Sequence, residues 1–173
     1  MVAKSVKIPE GVSVEAANGM LTVKGPHGTL ERAFNTRIVD VKQENGEIKA
    51  VLKGRLTRKK QAVTKTVEAH LKNMFEGVSK KFEKKMQLVY SHFPITVEVK
   101  GKEIFIKNFL GEKTARKAKV IGEAKVEVKG QDIVVSGADV ESVGQTAANI
   151  RKATRITKRD ERVFQDGIYY AIE

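Results

Sequence analysis

The sequence predicts an α+β protein made of two tandem copies of a small antiparallel sheet packed on one helix, produced by internal duplication. Three observations predict this class. The second half of the chain repeats the first at a nearly constant offset, each half begins with apolar residues at alternate positions, and each half later carries one apolar stripe at helical spacing. The two expected domains span residues 1–86 and 87–173.

The internal repeat has the length of a domain. Ile95 follows Val12 by 83 positions, and the same offset recurs through most of the half. A repeat of this length indicates a duplicated domain and not a unit of a solenoid. After a small gap, residues 39–42 resemble residues 126–129, and the original offset then returns. The matching pairs include Val14 and Val97, Leu21 and Ile104, Val23 and Ile106, Lys24 and Lys107, Gly28 and Gly111, Leu52 and Val135, and Gly54 and Gly137.

Strands are predicted at the start of each copy. Apolar residues at 12, 14 and 16, and again at 95, 97 and 99, alternate with polar ones, as in a half-buried strand. Gly19 and Gly101 separate alternating runs, where hairpin turns are expected. Shorter strands are predicted around 38–42, 48–52, 126–129 and 133–136.

Each copy then contains one predicted helix. The first has Thr57 as its N-cap and an apolar stripe at spacings of three and four residues. The second has Asp139 as its N-cap and contains Gly144, which a close approach of another backbone would explain. A last strand is expected to follow each helix, beginning at Gly77-Val78 and at Gly167-Ile168. The stripes are Val63, Val67, Leu71 and Met74 in the first helix, and Val140, Val143, Ala147, Ile150 and Thr154 in the second.

The residue patterns of common enzymes are missing from the sequence. Gly101-Lys102 precedes a glutamate, which does not match a phosphate-binding P-loop, and the chain has no cysteine nucleophile. His27, His70 and His92 are far apart and lack the spacing of metal ligands. We therefore expect no catalysis, no metal and no cofactor. Gly25-Pro-His-Gly28 resembles an RNA-clamping Gly-x-x-Gly loop, but it joins extended segments, which favours a simple turn.

The net charge indicates a polyanionic partner. The chain carries 33 Lys and Arg against 21 Asp and Glu, a formal charge of +12. RNA, DNA and an anionic membrane surface are the physical candidates, and a solvated surface rich in Lys and Glu is the alternative. Clustering of the basic residues favours a partner. Aromatic residues make up only 6% and Trp is absent, which favours folded, double-helical RNA over single strands. The basic clusters are 58–60, 80–81, 84–85, 113–119 (expected as an exposed loop) and 151–162.

No membrane span or secretion signal is expected. The N-terminal residues lack the apolar core of a signal peptide, and the longest apolar run, 168–172, is far shorter than the roughly 20 residues of a membrane helix. The absence of cysteine also argues against a secreted, disulfide-stapled scaffold. These features favour a soluble, cytoplasmic protein.

Four segments of the sequence match a set of family signatures in order along nearly the whole chain. They are Val23-Lys-Gly-Pro-His-Gly-Thr-Leu30, Tyr90-Ser-His-Phe-Pro-Ile95, Asn108-Phe-Leu-Gly-Glu-Lys113 and Arg162-Val-Phe-Gln-Asp-Gly-Ile-Tyr169. Together they resemble the large-subunit ribosomal protein six family, in its archaeal and eukaryotic branch. The C-terminal pattern departs from the family at Lys152, Tyr170 and Glu173.

The resemblance implies a structural, non-enzymatic ribosomal protein that binds large-subunit rRNA near the sarcin–ricin loop and the stalk base. It implies neighbouring stalk-base proteins, nearby translational GTPases, a cytoplasmic ribosomal location and an rRNA-binding role mainly for the second domain. Segments 108–113 and 158–162 are the first candidates for contact, whereas 166–169 fits a turn and buried strand better. The expected RNA-binding residues are Lys107, Asn108, Lys113, Arg116, Lys117, Lys119, Arg151, Lys152, Arg155, Lys158, Arg159 and Arg162.

Two other function classes are compatible with a basic chain of this kind. The first is a free-standing RNA-binding module that acts off the ribosome. The second is a membrane-surface protein, which would need a basic amphipathic helix with bulky aromatic residues on its apolar face. Neither predicted helix has such a face.

Overall fold

The computed structural model describes residues 3–17, 19–44, 47–52, 54, 57–91, 93–157, 160, 162–171. The chain divides into two units, Met1–Lys81 and Phe82–Glu173. The expected boundary at residues 86 and 87 was therefore five residues too late. The strand Phe82–Val89 pairs with strands of the second unit along its whole length, and this pairing draws residues 82–86 into that unit. His92 lies outside the described residues.

In its described residues the first unit contains six strands and one helix, and all the strand pairs are antiparallel. The strands form two three-stranded sheets, in the orders β1-β6-β5 and β2-β3-β4, where one sheet was expected. The elements are β1 (Ala3–Lys7), β2 (Ser13–Ala17), β3 (Met20–Gly25), β4 (Gly28–Ala33), β5 (Val39–Glu44), β6 (Glu47–Leu52) and α1 (Arg58–Ser79).

The second unit repeats this arrangement and adds one strand. Its sheets have the orders β10-β9-β8 and β11-β12-β7-β13, again antiparallel throughout. A short 3-10 turn, Phe109–Gly111, follows β9. The elements are β7 (Phe82–Val89), β8 (Thr96–Lys100), β9 (Glu103–Lys107), β10 (Arg116–Lys119), β11 (Lys125–Lys129), β12 (Asp132–Gly137), α2 (Val140–Ala153) and β13 (Gly167–Tyr170).

The strand order confirms that the chain is a duplication. The sheet β1-β6-β5 corresponds to β7-β12-β11, and β2-β3-β4 corresponds to β8-β9-β10, with the helix in the same place in both copies. Within the described residues, β13 has no counterpart in the first unit. There the chain leaves α1 and enters β7.

The strand expected at Gly77-Val78 was wrong, because both residues lie in the last turns of α1. Val78 is fully buried against the β3–β4 turn. His27 N–H donates to the Val78 carbonyl at 3.1 Å, and a Cβ added at Gly25 would lie 2.8 Å from the Val78 Cβ. Only glycine permits this approach, so the Gly25–Gly28 segment is a turn that docks on the helix.

Both expected helix caps are confirmed. Thr57 has an extended backbone, and its hydroxyl accepts a hydrogen bond from Lys60 N–H at 3.3 Å. The Asp139 carboxylate accepts from the N–H groups of Glu141 and Ser142, both at 3.1 Å. Each cap satisfies N–H groups that have no partner inside the helix and so defines where the helix begins.

Each unit has its own apolar core beneath its helix. The helices contribute the expected stripes, with Val67, Leu71 and Met74 buried in α1 and Val143, Ala147 and Ile150 buried in α2. Burial of each large aliphatic side chain contributes about 1.5–3 kcal/mol, so these stripes hold the helices on the strands. Within the described residues, neither helix combines the length and apolar character that a membrane crossing requires.

Gly144 does not serve a close backbone approach, contrary to expectation. It is exposed on α2, and a Cβ added there would meet no heavy atom within 4 Å. We expect Gly144→Ala to raise the free energy of unfolding by about 0.5–1 kcal/mol, because alanine loses less backbone entropy in a helix. Urea unfolding of the purified protein measures this change. Gly137→Ala is the control and should destabilise, since its added Cβ would lie 3.0 Å from Val143 Cγ2.

Candidate nucleic-acid interface

Ten of the twelve expected RNA-binding residues lie in the described part of the second unit, while Lys158 and Arg159 lie outside it. Arg116 lies on the inner side of β10, and the other nine occupy three places. These are the outer face of the β8–β10 sheet, the loop 108–113, and the end of α2 with the segment that follows it.

Strand alternation sorts the cations of β10. The expected exposed loop at 113–119 is wrong for residues 116–119, which form this strand and pair with β9. Lys117 and Lys119 are exposed, whereas Ala118 between them is buried. Lys117 is opposite Phe105, and its Nζ lies 5.3 Å from the centre of that ring. The outer face of the sheet thus presents two lysines beside one aromatic side chain.

Lys107 lies on the same outer face but has an internal partner. Its Nζ lies 2.6 Å from the Glu98 carboxylate, and Lys100 Nζ lies 3.6 Å from the same group. The hydrogen bond from Lys107 and the charges of both lysines hold the pKa of Glu98 below its ordinary value. Part of the positive charge at this end of the sheet is therefore already balanced.

Asn108 and its loop form a left-handed turn. Asn108 has φ 58°, and its side-chain amide donates to the Pro94 carbonyl at 3.1 Å. Leu110 and Gly111 also have positive φ, at 51° and 76°. Phe109 is buried in the core and anchors the loop from beneath. The buried Phe109 and the hydrogen bond to Pro94 thus tie the loop to the unit, and Lys113 is exposed at its end.

Arg116 points inward, on the same side of β10 as Ala118. Its side chain is only 26% exposed and pairs with Glu112 through two hydrogen bonds, Nε to Oε2 at 2.8 Å and Nη2 to Oε1 at 2.6 Å. Nη1 donates to the carbonyls of Ala153 at 3.0 Å and Arg155 at 3.2 Å. The structure therefore places this expected contact residue inside a hydrogen-bond network of the protein.

A groove of about 460 Å³ lies between the end of α2 and β13. Three expected residues on its rim, Arg151, Lys152 and Arg155, are exposed, and among the described residues none of the three forms an ion pair. Thr154, in its wall, is buried, and its hydroxyl accepts from Ile168 N–H at 3.2 Å. The groove is lined by Ala148, Arg151, Lys152, Thr154, Arg155, Ile156, Gly167, Ile168, Tyr169 and Tyr170.

Two tyrosines of β13 belong to this groove and were not expected there. Tyr170 has two cations near its ring, Lys84 Nζ at 5.0 Å and the Arg151 guanidinium at 5.4 Å. Tyr169 points to the other side of the strand and is 40% exposed. Alternation after the buried Ile168 is the sequence signal that could have predicted these two environments.

The rest of segment 166–169 is structural, as expected. Asp166 is buried, and one of its oxygens accepts from Ser91 N–H at 3.0 Å and from the Ser91 hydroxyl at 3.3 Å. Ile168 is fully buried in the core. These contacts hold β13 beside β7 and so define one wall of the groove.

Two of the expected arginines form ion pairs within the described residues, Arg116 and Arg162, and Arg162 is the more exposed of the two. Its side chain is 90% exposed and bonds both oxygens of Asp160, at 3.1 and 2.9 Å. The side-chain hydrogen bond from Arg162, followed by the bond from its backbone N–H, lowers the pKa of Asp160. A pair this exposed is weakly held, so a phosphate can compete for the guanidinium.

Comparison with known proteins identifies the chain. A profile of the family described as Ribosomal protein L6 matches residues 8–81 and again residues 93–167, one match in each unit. The chain belongs to the ribosomal protein L6 family.

Curated relatives extend this likeness over almost the full chain. A protein of Methanosarcina mazei named "Large ribosomal subunit protein uL6" is 50% identical over 169 residues, covering 97% of this chain and 95% of its own length. Relatives of the same name in Ignicoccus hospitalis and Methanobrevibacter smithii are 48% and 46% identical, each covering 97% of this chain and 93% and 94% of themselves. Membership of the L6 family makes the chain a ribosomal protein, placed in the cytoplasmic ribosome, and not an enzyme.

The end of α2 offers a direct test of core against surface in this L6 protein. Ile150 is fully buried and Arg155 is exposed. We expect Ile150→Ala to lower the free energy of unfolding by about 2–4 kcal/mol, because it leaves a cavity. Arg155→Ala should change it by less than about 0.5 kcal/mol, since its hydrogen-bonded carbonyl remains. Thermal and urea unfolding measure both. Early melting of the arginine variant would mean that its side chain is part of the structural network.

Proposed function

We propose that this chain is a structural component of the large ribosomal subunit and that its second unit binds large-subunit rRNA. The observation that carries the proposal is the groove beside α2, whose rim holds Arg151, Lys152 and Arg155 without acidic partners among the described residues. The names of the relatives support assembly into the large subunit.

The rim of this groove suits an RNA backbone chemically. Arginine presents a planar fork of donors that can hold a phosphate through two hydrogen bonds, and lysine adds a mobile point charge. The last turn of α2 brings Arg151 and Lys152 together, and Arg155 follows directly after the helix. Closely spaced cations of this kind neutralise neighbouring phosphates and release their counterions, which drives association with RNA.

Folded, double-helical RNA is the proposed form of the ligand. An A-form helix is recognised through its phosphates, 2′-hydroxyls and shape, which requires cations on a rigid surface. The outer lysines of β10 are fixed by the sheet, and the loop 108–113 is held by the buried Phe109. Tyr169, exposed on the side of β13 opposite to Tyr170, supplies a hydroxyl and an aromatic face for one adjoining sugar or base.

The proposed place on the subunit is near the sarcin–ricin loop and the base of the stalk. The four sequence signatures support this location, because it is what the family resemblance implies. There the chain supports the site at which translational GTPases act, beside other proteins of the stalk base. The protein contributes a rigid basic surface to that site, and its sequence contains no P-loop with which to hydrolyse GTP.

Salt dependence tests whether the outer lysines contact phosphate. We expect Lys113→Ala with Lys117→Ala to lower the slope of log affinity against log salt by about two units, since each duplex phosphate adds about 0.9. Filter binding or fluorescence anisotropy with large-subunit rRNA, over a range of KCl, measures the slope. A slope equal to that of the wild type would place both lysines on a merely solvated face.

Sedimentation tests the proposed assembly. The tagged wild-type chain should remain with large subunits through a moderate-salt sucrose gradient, whereas a free-standing RNA-binding module would stay at the top.

The triple variant Arg151→Ala, Lys152→Ala, Arg155→Ala should dissociate from large subunits at lower salt, and its slope of log affinity against log salt should be smaller by about two to three units. Its charge-matched control is Arg58→Ala, Lys59→Ala, Lys65→Ala, on exposed positions of α1 in the first unit.

The control separates net charge from location. Both triple variants lose three positive charges, so equal release of the two would contradict a groove-specific contact. Chemical footprinting of the wild-type complex then tests the finer proposal. Protection of rRNA is expected at the sarcin–ricin loop and the stalk base, and protection confined to other regions would contradict it.

A further inference from the structure

Arg116 differs from the other candidate cations because every nitrogen of its guanidinium already donates a hydrogen bond within the protein. All three nitrogens donate hydrogen bonds, Nε and Nη2 to the Glu112 carboxylate and Nη1 to the carbonyls of Ala153 and Arg155. The guanidinium carbon also lies 4.3 Å from the centre of the Phe109 ring. A side chain engaged on its edge and on its face cannot also hold a phosphate bidentately.

The partners of Arg116 come from two segments that are distant in sequence. Glu112 belongs to the loop 108–113, and Ala153 and Arg155 lie at and just beyond the end of α2. The last carbonyls of a helix have no partner within it and carry its negative partial charge, which favours an arginine there. Arg116 therefore joins the loop to the helix end through charge-assisted hydrogen bonds.

The joined segments carry the cations of the proposed RNA-binding surface. Lys113 follows Glu112 directly. The two carbonyls that Arg116 bonds belong to Ala153, which follows Arg151 and Lys152 in the chain, and to Arg155 itself. The relative position of these cations depends on the contact between the loop and the helix end. A polyanion with fixed phosphate spacing binds best when its cations are held at matching positions.

We infer that Arg116 is a positioning residue for RNA binding and not itself a phosphate contact. Through Glu112 and the carbonyls at the end of α2, it fixes the loop 108–113 against the groove rim. This inference deepens the proposed function and depends on it.

Glu112→Ala provides a test in which the two roles predict opposite signs. Removal of an acidic group near a polyanion, with release of Arg116 to the solvent, would strengthen binding if Arg116 were a phosphate contact. A positioning role predicts weaker binding, by about tenfold, because the loop and helix end lose their connection. The matched control is Glu123→Ala, an exposed acid of the same unit, which should bind as well as the wild type or slightly better.

Arg116→Lys tests the shape of the group separately from its charge. Lysine keeps the positive charge but cannot bond Glu112 bidentately and reach two carbonyls at once. We expect about the same tenfold loss as for Glu112→Ala, and little further loss in the double variant, because both changes break one network. Lys117→Met, the adjacent outward residue, is the control and should lower the salt slope by about one unit.

Hydrogen exchange supplies a readout that does not involve RNA. In Arg116→Lys, amides of the loop 108–113 and of residues 151–156 should exchange faster, while those of β12 and the middle of α2 remain unchanged. Affinities are compared at a temperature below the melting transition of every variant, so a loss of binding reports position and not unfolding.

Each outcome decides between the roles. Near-normal binding of Arg116→Lys together with tighter binding of Glu112→Ala would show a direct phosphate contact and overturn the inference. Normal binding by both variants, even with earlier melting, would reduce Arg116 to a purely structural role and also overturn it. Failure of the wild-type chain to bind large-subunit rRNA would instead overturn the proposed function and, with it, this inference.

Discussion

The two-sided character of the strands is the constraint on which the rest of the molecule depends. Alternate side chains of a strand face opposite sides of the sheet, and one side in each unit must meet a helix and an apolar core. In β10 this turns Arg116 and Ala118 inward and leaves Lys117 and Lys119 outside. Strand alternation alone thus gives the three cations among these four neighbouring residues different environments, one buried side and one exposed side.

Duplication produced two units with the same strand order and different surfaces. Both bury an apolar helical stripe under equivalent caps, but within the described residues only the second unit has the additional strand β13 beside the end of its helix. Residues of β13 and of the end of α2 together line the groove. One wall of the groove therefore belongs to a strand of the second unit that has no counterpart in the described residues of the first.

Net charge alone is a poor guide to which cations can meet RNA. Of the expected residues, Lys107 is paired with Glu98, Arg162 with Asp160, and Arg116 is bonded on all its nitrogens. The groove arginines, by contrast, have no acidic partner among the described residues. The free energy needed to break an ion pair within the protein is small when the pair is exposed to solvent, as for Arg162 and Asp160. It is larger when the arginine is partly buried and joins two segments, as for Arg116.

The sequence by itself determined the fold class, the duplication, both helix caps, most of the strands and the family, because these depend on local periodicity, turn chemistry and contiguous motifs. Only the tertiary structure decided that Gly77 and Val78 continue α1, because packing of Val78 on the β3–β4 turn stabilises the last turns of the helix. Only it moved the unit boundary to Lys81, through pairing between β7 and strands more than 40 residues later. It also built the groove from residues 148–156 and 167–170 and gave Arg116 its internal partners. Contacts between distant segments depend on packing geometry, which no local pattern in the chain encodes.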